Sequence, residues 1–279
     1  MSQVYRALEK AEREKREKTT EGPSLKVFKE KEIPKKEEAI IRFPEEKVEK
    51  LRLPREEVLP VLTALPDSYG AEQFRNLKTK IFLRMPNPPH TILVTSTTPQ
   101  EGKTTVAVNL ALTISNEINR KAILIDGDLR KPGIHFKDYH NSKGLSDYLS
   151  DQTPLSEVLF NSKSENLQII QAGHSSRQST ELIGSKKMKD LLNFLRIHGD
   201  DTYIVIDSPP LIAASESILL SKMVDGIIFV IMGGQTPKES IKRAIQSIDQ
   251  QKIIGVVFNQ KDMRLSNDYS KYYYKYYRK

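Results

Sequence analysis

Between an apolar run at 91–96 and a helical pattern carrying Val106, Val108 and Leu110, the chain reads Thr97-Thr98-Pro99-Gln100-Glu101-Gly102-Lys103-Thr104-Thr105. Gly-Lys-Thr at that junction has the chemistry of a phosphate cradle. Backbone N–H groups and a helix N-terminus can surround the anion, and Gly102 lets the main chain approach closely. Lys103 can reach the β and γ phosphates of a nucleotide, and Thr104 offers a hydroxyl to magnesium. The expected nucleotide contacts are therefore Thr98, Pro99, Gln100, Glu101, Gly102, Lys103, Thr104 and Thr105. Thr97 stands where the pattern G-x-x-x-x-G-K-S/T has its first glycine, so the expectation rests on the strand, loop and helix context.

Two more apolar runs end in acid. The run at 122–126 continues as Asp126-Gly127-Asp128-Leu129-Arg130-Lys131-Pro132. Two carboxylates so close at a strand end need a cation or a proton donor beside them; ATP-bound magnesium would supply the first and a substrate hydroxyl the second. Arg130 and Lys131 can offset phosphate charge or form a solvated basic turn. The run at 203–206 closes on Asp207-Ser208-Pro209-Pro210, a Walker B arrangement in which the carboxylate holds magnesium directly or through water. A different chemistry sits at the C-terminus. Six of the eleven tyrosines, Tyr269, Tyr272, Tyr273, Tyr274, Tyr276 and Tyr277, fall in the last eleven residues among Lys271, Lys275, Arg278 and Lys279. That segment has no period that would bury an apolar face, so it reads as solvated and mobile, able to carry phenols into an active site.

The elements that position these groups follow from hydrophobic periodicity. Runs at 91–96, 122–126, 167–171, 203–207, 226–232 and 253–259 read as buried strands, and 68–84, 103–116, 185–196, 215–221 and 237–250 as helices. Near-continuous Ile/Val/Leu runs separated by helices predict an α/β fold, a P-loop NTPase-like, mostly parallel sheet with helices on both faces. Ligands of such sheets bind beyond the carboxyl ends of the strands, where all three motifs fall. Residues 136–166 are too polar and irregular to assign.

Residues 1–60 are about half Lys, Arg and Glu and contain Pro23, Pro34, Pro44, Pro54 and Pro60. They lack the apolar side chains to offset an ordering entropy of roughly 1–2 kcal/mol per residue. The expected organisation is a charged flexible extension (1–66), a nucleotide-binding domain (67–262) and a Tyr-rich tail (263–279). The absence of cysteine excludes disulfides, thiolate metal sites and cysteine nucleophiles. No apolar run reaches the roughly 18 residues that a membrane span requires, which predicts a cytoplasmic protein. The net charge of +8 reads as solvated surface, because glutamates nearly cancel the N-terminal cations locally.

Together the motifs resemble the bacterial tyrosine kinase family, P-loop autokinases that serve capsule and exopolysaccharide export. The resemblance spans roughly residues 68–279. It rests on TSTTPQEGKTT, ILIDGDLRKP, YIVIDSPP, GVVFNQ, the terminal tyrosines, and the similarity of 167–192 to the family's LxxxxAG…ELL stretch. It implies that Lys103 and Thr104 bind ATP and Mg2+, that Asp128 and Asp207 complete the metal site, and that the six terminal tyrosines are phosphoacceptors. Asp126 is implied as acceptor of the attacking tyrosine's proton, since a phenol with a pKa near 10 is protonated at neutral pH; the residues themselves leave the division of labour between Asp126 and Asp128 open. Glu72, Arg75 and Lys78 match the family's E-x-x-R-x-x-R motif, spaced to share one helix face, which in the family assembles rings. Lys78 in place of the last Arg lacks the bidentate fork. Glu216 stands where many members have Asp. The resemblance is to the stand-alone kind, and implies a membrane-bound polysaccharide co-polymerase as activator, a tyrosine phosphatase as counterpart, recruitment to the inner face of the cell membrane, and no nucleic acid.

Two other readings fit parts of the chain. A ParA/MinD-like ATPase switch would share the sheet and loop, but its signature lysine early in the loop is Thr98 here. A nucleotide-gated interaction module could use the Tyr/Lys tail to stack bases and neutralise phosphates, or to meet a membrane interface.

Overall fold

The computed structural model describes residues 69–84, 87–134, 143–162, 164, 166–197 and 201–259. Seven strands form one sheet: β1 (Thr91–Ser96), β2 (Lys121–Asp126), β3 (Leu159–Asn161), β4 (Leu167–Ile170), β5 (Thr202–Asp207), β6 (Gly226–Met232) and β7 (Ile253–Asn259). Their order is β3-β4-β2-β5-β1-β6-β7, and every neighbouring pair is parallel except β3 with β4. The helices are α1 (Tyr69–Arg84), α2 (Lys103–Ser115), α3 (Leu145–Leu149), α4 (Ser179–Gly184), α5 (Lys186–Ile197), α6 (Ser215–Met223) and α7 (Lys238–Gln246).

The central strands are apolar on both sides because both sides are covered. On one face, Val106, Leu110 and Ile114 of α2 pack against Ile92, Val94, Leu124 and Val205, and Phe74, Ile81 and Phe82 of α1 join the same core. Helix α2 is buried from Val106 to Ser115, which explains a sequence with almost no polar stripe. On the other face Met188, Leu191, Leu192 and Leu195 of α5 recur at i, i+3, i+4 and i+7. With Leu220 of α6 and Ala244 of α7 they cover Leu93, Ile123, Ile125, Ile204 and Ile206.

All six expected strands are present. The helix expected at 237–250 ends at Gln246, where the chain turns into a short 3-10 segment at Gln250–Lys252. Three elements had no sequence signal: α3, α4 and β3. Each spans fewer than two periods of the pattern that would reveal it. Helix α3 is held by local hydrogen bonding, with the Gly144 amide donating to Asp147 Oδ2 at 2.8 Å, and by Leu145 and Leu149 in the core. Strand β3 is a three-residue antiparallel edge. The charged extension 1–66, the tail 263–279 with its six tyrosines, and both expected domain boundaries lie outside the described residues. Among the described residues no helix is long and apolar enough to cross a membrane.

Candidate active site

Strands β2, β5 and β1 lie side by side, with Asp126 opposite Asp207 and Asp207 opposite Val94. The parallel register therefore delivers the three motifs to one edge of the sheet. In the loop from β1 to α2, Gln100 (φ 66°) and Gly102 (φ 88°) adopt left-handed conformations, the kind of turn that gathers successive N–H groups into an anion-binding concavity. Gly102 caps α2 without a side-chain hydrogen bond, and the first turn, which includes Lys103, Thr104 and Thr105, contains no acid. The helix N-terminus is left for an external anion.

Thr98, Pro99 and Gln100 lie on the loop, whereas Glu101 is turned inward and 1% exposed. Its Oε2 accepts from the Thr98 amide at 2.9 Å and its Oε1 from the Thr236 hydroxyl. Asn259, the last residue of β7, donates from Nδ2 to the Glu101 carbonyl at 3.0 Å. It packs so closely that a Cβ on Gly102 would lie 1.9 Å from its Nδ2. Glu101 thus braces the loop from inside, with Thr236 and Asn259 as its supports. Sequence reasoning missed both, because neither is near the loop in the chain.

Lys103 Nζ stands 3.4 Å from Thr104 Oγ1, 3.8 Å from Asp128 Oδ2 and 3.9 Å from Asp207 Oδ1. Asp207 is fully buried and neither of its carboxylate oxygens has a hydrogen-bond partner. Burial raises its carboxyl above the ordinary range, against the pull of the Lys103 charge and the Thr104 hydroxyl. Gly133 closes this corner: a Cβ there would come within 2.8 Å of Thr104 Oγ1 and 3.3 Å of Asp207 Oδ2. An orphaned carboxylate beside a hydroxyl fits Mg2+, which takes one or two protein oxygens and completes its shell with water and phosphate.

Asp126 is enclosed. Its Oδ1 accepts from the Asp128 amide at 3.1 Å, and its Oδ2 from the Gly133 and Ile134 amides at 3.0 and 2.9 Å. Burial first, and then the Asp207 charge, push its carboxyl upward against these amide bonds. Asp128 accepts from the Lys131 amide at 2.9 Å through Oδ1, leaving Oδ2 toward Lys103.

Arg130 is engaged within the protein. Its Nε donates to Glu216 Oε1 at 2.7 Å and to Ser179 Oγ at 3.0 Å, and its Nη2 to Thr180 Oγ1 at 3.0 Å. Burial alone would raise the Glu216 carboxyl, but Ser179, its own backbone amide, Thr180 and Arg130 together hold it below the ordinary range. The three residues expected to form an interface lie on α1, apart from these groups: Arg75 pairs with Glu72 at 2.6 Å, and Lys78 with Glu117, just past α2, at 2.9 Å.

A mostly parallel sheet with an uncapped loop–helix junction, a lysine and a buried acid at its carboxyl edge is a nucleotide-binding P-loop NTPase fold. Residues 91–255 match the AAA domain family AAA_31. The chain is 30% identical over 211 residues to the tyrosine-protein kinase YwqD of Bacillus subtilis, covering 74% of this chain and 88% of that protein. It is 35% identical over 180 residues to the tyrosine-protein kinase CpsD of Streptococcus pneumoniae, covering 63% and 78%. The crystal structure of the chimerical protein CapA2B2 shares the fold with a TM-score of 0.67 at 27% identity, over 72% of this chain and 89% of that one. The chain belongs to the bacterial tyrosine-protein kinases. It is a protein-tyrosine kinase.

Proposed function

We propose that the chain is an autokinase that transfers the γ-phosphoryl group of ATP to the terminal tyrosines of a neighbouring copy, Tyr269, Tyr272, Tyr273, Tyr274, Tyr276 and Tyr277, and so regulates capsule or exopolysaccharide synthesis or export. The observation that carries this reading is the buried, unpartnered Asp207 beside Thr104 and Lys103, under a helix N-terminus free for phosphate. ATP seats on residues 98–105. Thr104, Asp128 and Asp207 would hold Mg2+, which when bound would neutralise phosphate charge. Lys103 offsets the remaining charge. The phenolic oxygen attacks phosphorus in line, the bond to the β–γ bridging oxygen breaks, and ADP leaves. The phenolic proton passes to the ionised form of Asp126, which its three amide donors favour. Catalysis here is chiefly positioning and charge neutralisation.

From Lys261 onward six cations face two aspartates, a net charge of about +4. Each phosphotyrosine adds about −1.5 to −2, so two or three neutralise the segment and more reverse its sign. Delivery in trans calls for a ring-like homo-oligomer, with Glu72, Arg75 and Lys78 exchanging their present partners for those of a neighbour. A membrane-bound polysaccharide co-polymerase recruits and activates the kinase at the inner face of the cell membrane, and a tyrosine phosphatase resets it.

Peptide mass spectrometry of the full chain, Lys103→Met and a truncation after Asp268, each incubated with ATP and Mg2+, tests the reading. Phosphates confined to the tail in the wild type, and absent from both variants, are expected. Turnover of ATP without phosphotyrosine, even with a membrane activator present, would instead favour an ATPase switch.

A further inference from the structure

We propose that Glu216 is a positioning residue for phosphoryl transfer, acting through Arg130 on the turn that carries Asp128. The inference deepens the proposed function and rests on its assignment of Asp128 to the metal site.

Glu216 sits in the first turn of α6 and is fully buried. Its Oε1 accepts from Ser179 Oγ at 2.6 Å, Arg130 Nε at 2.7 Å and Thr180 Oγ1 at 3.0 Å. One carboxylate oxygen therefore joins the turn after β2, the start of α4 and the start of α6. Arg130 is fixed on its side by two further bonds, to the same two hydroxyls. The planar guanidinium meets these acceptors along one edge, Nε serving Glu216 and Ser179 and Nη2 serving Thr180, a geometry an ammonium does not reproduce. An Asp at 216 would fall short of all three donors by about 1.5 Å, one C–C bond. The side-chain length at this position is thus matched to its partners.

What Arg130 holds is the turn from Asp126 to Gly133. At one end of that turn Asp128 presents Oδ2 to Lys103, with Oδ1 tied to the Lys131 amide. At the other end Gly133 packs over Thr104 and Asp207 and donates its N–H to Asp126. Both ends belong to the metal corner, and Arg130 lies between them with half of its side chain in solvent. Glu216 and Arg130 do not reach the phosphate site; they set where Asp128 and Gly133 stand. Outer partners of this kind typically change metal affinity or activity by about 10–100-fold when removed.

The test uses the full chain and its Arg130→Lys, Glu216→Gln, Glu216→Asp and Asp128→Asn variants. Affinity for a fluorescent ATP analogue is measured with Mg2+ and in excess chelator, beside the Mg2+ concentration that half-saturates autophosphorylation. Arg130→Lys, at a half-exposed position, keeps the test valid if substitution of the buried Glu216 impairs folding; thermal melts identify that case. A rise of about tenfold or more in the Mg2+ requirement, with metal-free nucleotide affinity within about twofold of wild type, is expected for Arg130→Lys and both Glu216 variants. Equal loss with and without Mg2+, or an unchanged requirement in folded Arg130→Lys while Asp128→Asn raises it, overturns the positioning role. An unchanged requirement in Asp128→Asn overturns the assignment of the metal site itself.

Discussion

Replacing Asp207 by Asn should stabilise the nucleotide-free protein while abolishing its metal-dependent binding of ATP. Asp207 is fully buried, neither oxygen has a well-aligned hydrogen bond although the Thr104 hydroxyl and the Ser208 amide lie near enough to pull on it, and the Lys103 ammonium is 3.9 Å away, too far to satisfy them. A buried acceptor without a partner costs about 1–3 kcal/mol, more when charged. Burial also raises the carboxyl, so the native state binds this proton more tightly than the unfolded chain does. Stability therefore falls as pH rises from the unfolded pKa, about 4, through the higher folded value, and the whole penalty is present near neutrality. Asn keeps the volume and removes the charge. At about 2–4 °C per kcal/mol for a domain of this size, Tm near neutral pH should rise by about 2–12 °C, and the gain should shrink toward pH about 4. Melts across pH in chelator measure the first effect. Melts with ATP and Mg2+ measure the second: wild type should gain stability by mass action and the variant should not. A variant melting at or below wild type near neutral pH, or one whose gain is independent of pH, would refute the reasoning.

Gly133→Ala should lower affinity for Mg2+–ATP by about 5–150-fold, the equivalent of about 1–3 kcal/mol of overpacking, because its Cβ would press on Thr104 while its φ lies outside the left-handed region; titration with a fluorescent nucleotide reads this. Thr236→Val deprives buried Glu101 of a donor and should destabilise the loop by about 1–3 kcal/mol, seen as weaker nucleotide binding by calorimetry. Asp147 would be raised by burial, but the Gly144 amide and the ring and amide of His174 outweigh that and hold its carboxyl below the ordinary range. Its contribution is present above the unfolded pKa, about 4, and lost as pH falls through the folded value, so Asp147→Asn should lower Tm at neutral pH and flatten the acid side of the Tm profile.

The motif strands were legible because a parallel sheet covered on both sides demands continuous apolar runs, and these end abruptly at Asp126 and Asp207. The phosphate loop was legible from Gly102-Lys103-Thr104 at a strand–helix junction. Its supports were not, since Thr236 and Asn259 approach it only through the strand order that seats β6 and β7 beyond β1. Glu216 stood out in the sequence only as a departure from the resemblance, and its role was not legible for the same reason: its partners come from two distant segments, and charge alone does not say whether an acid is solvated or buried. Glu101 was read as a nucleotide contact by its place in the motif, yet its side chain faces inward. Helices α3 and α4 are fixed by hydrogen bonds and a few core contacts, which leave no period to read.

The bond from Asn259 to the loop carries a practical boundary for anyone shortening this chain. The family match stops at residue 255, and a cut there would leave only the first three residues of β7 in place. It would also delete the amide that braces the Glu101 carbonyl and fills the space against Gly102. The smallest catalytic unit is therefore set by a hydrogen bond rather than by where sequence similarity fades, and it ends no earlier than Asn259, one residue before the chain continues toward its tyrosines.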